Sequence, residues 1–261
     1  MVKVICVHSS RGGTGKTLIA LNIAATYASM GKSVALLDLD FRAPSLYTVF
    51  EAARRQLVTE WTNDFLDCRA SIKDVLVDVT DEYDLKGRLL VGFADPSIDA
   101  IRQYSEKGKK WQMKALKKML NLKRDLRDLD RVVLDTSPGV HYSSVNAVVS
   151  SDISVIVVTM DELDVAGARR MLVELYDAFD KKTAIVLNKV TPYMLFSEDD
   201  RKRTLTRIEE MFKKPVIGII PCYCDVLLAS RLKIFALERP EHPFARTMHE
   251  VVNALDRLLG A

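Results

Sequence analysis

The chain is poor in the residues that mark several protein classes. Its 261 residues include only four cysteines, at positions 6, 68, 222 and 224, without the spacing of a disulfide framework. A small disulfide-stapled secreted fold is therefore excluded. Eleven glycines and eight prolines are scattered, so there is no flexible linker, repeat or low-complexity tract. No apolar run approaches the ~18 residues that a membrane-spanning helix needs. The apolar opening at 2–7 is short and contains Lys3, which is unlike a secretory signal. A net charge of +3 is too weak to imply nucleic acid by itself. These absences predict a reduced, cytoplasmic protein. Its 48% apolar content is ample for one large core, and one domain spanning 1–261 is expected.

What is present is an alternation. Runs rich in Val, Ile and Leu at 2–7, 33–37, 88–93, 131–134, 153–159, 183–187 and 216–220 predict strands. Several are continuous, as expected of strands covered on both faces. Between them lie helical patterns at 16–30, 110–126, 143–150, 165–179, 198–212 and 243–259, with Gly31 placed to end the first. The segment 51–109 has mixed character and is the least legible. Strand–helix alternation predicts a parallel, doubly wound sheet whose ligand sits at the carboxyl ends of the strands.

The first strand runs into Ser10-Arg11-Gly12-Gly13-Thr14-Gly15-Lys16-Thr17, and Leu18 continues into a helix. Glycines let the backbone wrap an anion closely and aim consecutive N–H groups at it, and the helix N-terminus adds donors and a positive dipole. Lys16 has the reach for the β- and γ-phosphates of a nucleoside triphosphate, and the Thr17 hydroxyl suits Mg²⁺. The second strand ends in Asp38-Leu-Asp40, followed by Phe41-Arg42-Ala43-Pro44. Two carboxylates at alternate positions project to one side. One can order the attacking water or a Mg²⁺-bound water while the other holds the loop. The run 132–139 ends in Asp135-Thr-Ser-Pro-Gly139, which matches an acid binding Mg²⁺ through water and a flexible glycine near the γ-phosphate. Asn188, ending the sixth strand, can pair with an adenine edge or cap a turn, and spacing does not separate these. Pro221-Cys222-Tyr-Cys224 forms a stiff loop suited to holding the base.

Taken in order, residues 11–17, 37–46, Asp135-Thr-Ser-Pro-Gly139, Asn188-Lys189 and Ile220-Pro221 resemble the MinD/ParA group of deviant Walker A ATPases, in the SIMIBI class. The resemblance spans nearly the whole chain. It implies a three-layer α/β/α P-loop NTPase with a mostly parallel sheet of seven or eight strands. It also implies a slow, partner-stimulated Mg²⁺-dependent ATPase that forms an ATP-dependent homodimer and positions cargo through regulatory partners. Lys16 and Thr17 would then hold phosphate and Mg²⁺, and Asp40 would position the water with Asp38 supporting it. Asp135 and Gly139 would form the second switch, and Asn188 and Pro221 would frame adenine. The group's signature lysine, which reaches into the partner's site, falls on Arg11. Arginine keeps the charge but changes geometry and reach. The loop's usual first glycine is Ser10.

Other features carry competing readings. Cys222 and Cys224 could join a second copy's thiols around a transition metal or iron–sulfur cluster. That would favour a metal-cofactor maturation ATPase of the Mrp or hydrogenase nickel-chaperone kind, whereas packing near adenine is the plainer reading. Cys6 reads as core. His8 and His141 read as polar residues at strand or switch edges. The basic run 107–127 reads as a solvated helix face before it reads as a nucleic-acid surface. A ligase of the dethiobiotin-synthetase type shares the loop but lacks an evident substrate pocket. The terminal helix carries no basic amphipathic extension, so no stable membrane anchor is expected.

Overall fold

The computed structural model describes residues 1–50, 58–229 and 234–260. Strands β1 (Lys3–His8), β2 (Ser33–Leu39), β3 (Leu76–Asp78), β4 (Arg88–Gly92), β5 (Arg131–Thr136), β6 (Ile153–Val158), β7 (Lys182–Val190) and β8 (Val216–Pro221) form one sheet. Its order is β3-β4-β2-β5-β1-β6-β7-β8, parallel throughout except for the antiparallel β3–β4 pair.

The strand sequences explain the layering. Successive side chains point to opposite faces. In β1, Ile5 and Val7 join one core while Val4 and Cys6 join the other; in β6, Val155 and Val157 oppose Ile156 and Val158. Both faces of each central strand are therefore apolar, and helices cover both. Helices α1 (Lys16–Ser29), α2 (Phe235–Glu238) and α3 (Pro243–Leu259) cover the first face. On the second lie α4 (Thr62–Leu66), α5 (Lys109–Leu120), α6 (Leu122–Asp125), α7 (Tyr142–Ser150), α8 (Glu162–Met171) and α9 (Glu198–Phe212). In α1, small residues such as Ala20, Ala24, Ala25 and Ala28 are all fully buried, so it packs closely against both sheet and α3.

All seven expected strands are present. The eighth, β3, is three residues long, too short to show a period, and it is defined by its pairing with β4, Val77 opposite Val91. The helix expected over 110–126 is two helices, α5 and α6, separated at Asn121. The pattern at 165–179 starts earlier, at Glu162, and its last turns widen to a π-helix over Leu172–Asp177. Within 51–109, the described part contributes α4, β3, β4 and a helix over Ile98–Ser105. Among the described residues no helix is long and apolar enough to cross a membrane.

Candidate functional site: a phosphate loop above buried acids

Central strand β1 has β5 on one side and β6 on the other, so the chain changes winding direction there. At this switch point the loop after β1 opens into a cavity of about 400 Å³. The cavity is lined by residues 11–18 together with Asp40, Arg42, Pro138 and His141. Gly15 begins α1 in the left-handed region, with φ +91°, and a Cβ there would fall 2.3 Å from the Asn188 amide nitrogen. Conformation and space both demand glycine.

Lys16 lies at the cavity floor with its Nζ donating to Asp135 Oδ1 at 2.9 Å and lying 4.0 Å from Asp40 Oδ2. The strand register makes this cluster, because Asp38 on β2 stands opposite Asp135 on β5. Burial works against the charge on Lys16, but Asp135, Asp40 and Asp38 outweigh it and raise its pKa. Burial raises the pKa of Asp38, and the neighbouring Asp135 and Asp40 add to this. Asp135 is also raised by burial, against the pull of Lys16 and Thr17. Three carboxylates thus face one ammonium, and Asp135 Oδ2 is buried without a hydrogen-bond partner. Three buried carboxyl groups beside one ammonium, with one oxygen lacking a partner, suit a divalent cation that would draw off the protons they retain. Among the described residues no three His, Cys, Asp or Glu side chains make a ready cage. That is consistent with Mg²⁺, which takes one or two carboxylates and fills its remaining positions with water and phosphate oxygens.

Asp38 accepts from the backbone N–H of Asp40 at 3.0 Å and of Leu46 at 3.4 Å, which sets the path of the loop after β2. Ser137 donates its hydroxyl to Asp40 Oδ1 at 2.8 Å, and Arg42 Nη1 donates to His141 Nε2 at 2.7 Å. These two contacts join the loop after β2 to the loop after β5. Burial, followed by the Arg42 charge, lowers the His141 pKa, which keeps that ring neutral and able to accept.

The residues expected to frame the base stand apart from the cavity. Asn188 is buried under the loop, donating to the Thr14 carbonyl at 2.7 Å, while Lys189 Nζ donates to the Gly13 carbonyl at 2.7 Å. Pro221 ends β8, and the Cys222 N–H donates to the Val190 carbonyl at 2.9 Å. Cys222 and Cys224 are free thiols, half-buried and exposed respectively, and two thiols in one chain leave any bridged metal dependent on another copy. Arg11 is half exposed, and its Nη1 donates to Asp161 Oδ1 at 2.9 Å. Asp161 also caps α8, and Ser10 donates to Asp164 at 2.6 Å, so α8 starts against the phosphate loop.

Sequence reasoning missed Ser137, the Arg42–His141 contact and the two aspartates of α8. The pattern Asp161-Glu-Leu-Asp164 is a helix-start signal that could have located the latter. His8, read as a strand-edge residue, is fully buried. Within the basic run, Lys107 and Lys123 are tied to Asp67 and Asp152, leaving Lys109, Lys110, Lys114 and Lys117 exposed on α5.

A family model described as an AAA domain matches residues 2–188. The chain is 28% identical to the septum site-determining protein MinD of Thermotoga maritima, over 90% of this chain and 80% of that protein. Its fold superposes on MinD of Pyrococcus horikoshii, a complex with Mg-ADP, with a TM-score of 0.75 at 18% identity, covering 100% and 98% of the two chains. A plasmid partition protein of Borrelia burgdorferi gives a TM-score of 0.68 at 20% identity, covering 98% of each chain. With most of its length inside the family model, and with the phosphate loop and sheet described above, the chain belongs to the MinD/ParA family of P-loop ATPases.

Proposed function

We propose that the protein binds ATP with Mg²⁺ and hydrolyses it as a dimerisation switch that positions cargo through partner proteins. The observation that carries this reading is Lys16 held among Asp38, Asp40 and Asp135 beneath the glycine loop. Thr17, Asp135 and Asp40 are the residues that would hold Mg²⁺, partly through water; the ion would supply charge neutralisation at the phosphates. The relative complexed with Mg-ADP supports this assignment. Lys16 exchanges Asp135 for β- and γ-phosphate oxygens, and the N–H groups of 12–18 wrap the phosphate chain. Asp40, oriented by Ser137, holds the attacking water, and Asp38 fixes the loop that carries it. Arg11 leaves Asp161 to reach the partner's phosphates, while Asn188, Pro221 and Cys222 frame the base. The working unit is the single domain 1–261, acting in the cytoplasm. The exposed lysines of α5 suit an acidic partner surface, nucleic acid included.

Molar mass by light scattering, with ADP and with ATP plus Mg²⁺, tests the proposal on Asp40→Ala, which should hold ATP without turnover. A dimer with ATP and a monomer with ADP are expected. A monomer in both, with nucleotide shown to be bound, would sink the dimer mechanism.

A further inference from the structure

We propose that His8, itself fixed by Tyr176, positions Gly139 so that the second switch distinguishes a triphosphate from a diphosphate. The inference rests on the reading of this site as an ATP site and adds a positioning residue to it.

His8 is the last residue of β1 and is wholly buried. Its Nε2 lies 3.0 Å from the Gly139 carbonyl oxygen, and its Nδ1 is hydrogen-bonded to the Tyr176 hydroxyl. A carbonyl only accepts, so Nε2 carries the proton. Nδ1 is therefore a lone pair, and Tyr176 donates to it. Burial pushes His8 down to about 4, against the Gly139 carbonyl and helped by the charge of Lys16, so the ring stays neutral at physiological pH. Tyr176 sits in the π-helical turns that follow α8, fully buried. A neutral imidazole with one permitted tautomer is thus held rigidly behind the switch.

Gly139 is held differently on its two sides. Its carbonyl accepts from His8 Nε2 across the core, and from the Ser144 hydroxyl at 2.8 Å and the His141 N–H at 3.1 Å within its own loop. Its N–H donates to the Ser9 carbonyl at 2.8 Å, and the preceding Pro138 lines the phosphate cavity. The residue adopts φ +76°, where only glycine is unstrained. Rotation there, with the carbonyl pinned, carries the 138–139 peptide N–H away from Ser9. The cavity beside Pro138 is where a γ-phosphate oxygen would accept it. Without the pin, the same rotation would also displace 140–144, and the N–H would lose its aim. His8 touches no substrate; it acts through Gly139.

Affinities for a non-hydrolysable ATP analogue and for ADP, each with Mg²⁺, together with kcat and KM, test this on His8→Phe, His8→Gln and Tyr176→Phe. For His8→Phe the preference for triphosphate over diphosphate and kcat should each fall about fivefold to tenfold, the loss of one buried hydrogen bond, with ADP affinity unchanged. His8→Gln should restore both, because its amide donates to Gly139 and accepts from Tyr176. Tyr176→Phe, which leaves the ring but frees its tautomer, should show a change of about twofold to threefold in the same two quantities. If His8→Phe does not fold, Tyr176→Phe decides. A wild-type preference and kcat in His8→Phe and Tyr176→Phe overturns the inference alone. Equal losses of ADP and triphosphate affinity also overturn it, by showing a merely structural role. Wild-type protein that binds neither nucleotide overturns it together with the ATP reading.

Discussion

Strand β5 carries a buried charge at each end, and the two are treated in opposite ways. At its start, Arg131 Nη2 donates to Asp256 Oδ1 at 2.7 Å and its guanidinium lies 5.2 Å from the Tyr27 ring. Tyr27 donates to the same carboxylate at 2.8 Å, so one cation meets one anion and three elements, β5, α1 and α3, are tied together. Near its end, Asp135 shares one ammonium with Asp38 and Asp40, and one of its oxygens has no partner. A cluster whose charges balance holds the fold. One left unbalanced in a buried place costs stability, and the fold tolerates it where a ligand completes it.

The largest effects separate the two ends. Lys16→Ala removes two charge-assisted phosphate contacts and should weaken nucleotide binding about a thousandfold by calorimetry. Asp256→Ala strands the buried guanidinium and should cost about 3 kcal/mol in urea unfolding, with nucleotide affinity within about twofold of wild type. If each variant lost stability and affinity alike, the two ends would not be functionally distinct.

A smaller effect depends on pH. Asp38 and Asp135 have pKa values raised in the folded protein, so the folded state keeps protons that the unfolded chain has released above the ordinary carboxylate range. The nucleotide-free protein should therefore lose stability as pH rises from about 5 to 8. Asp38→Asn should flatten that slope and gain roughly 1 kcal/mol at pH 8, since the amide still accepts from the Asp40 N–H. An unchanged slope in urea titrations across this range would show that Lys16 already neutralises the cluster.

The same contrast explains what was legible in the sequence. Asp38, Asp40 and Asp135 sit at or just past strand ends and Lys16 opens α1, all within motifs whose residue types suit phosphate chemistry, so order along the chain pointed to a cluster that the fold brings together. The continuous Val and Ile runs did the same for the central strands, because burial on both faces leaves no polar positions. Tyr27, Arg131 and Asp256 are brought together only by the tertiary fold, across 229 positions between Tyr27 and Asp256, and nothing local announces them. The contacts of His8 were hidden for the same reason: its partners, Gly139 and Tyr176, are 131 and 168 positions away. Strand β3 and the break at Asn121 were set by pairing and packing, since three residues or one turn leave no period to detect.

The smallest effect concerns Arg11, which stands where the resemblance places the group's signature lysine. Its partner Asp161 does two jobs, capping α8 through the N–H groups of Leu163 and Asp164, both at 3.1 Å, and holding the guanidinium. Asp161→Asn keeps an oxygen for the cap and removes the charge. Both side chains are more than half-way to solvent or near it, at 50% and 57% exposure, so stability should change by less than about 0.5 kcal/mol. The free guanidinium should instead favour contact with a second copy's phosphates. ATP-dependent dimerisation, followed by light scattering across a dilution series, should then tighten about twofold to threefold, with monomer nucleotide affinity unchanged. A dimer weakened by Asp161→Asn would mean that this aspartate supports the interface and does not restrain Arg11. The salt bridge would then belong with the balanced cluster at the far end of β5 and not with the switch.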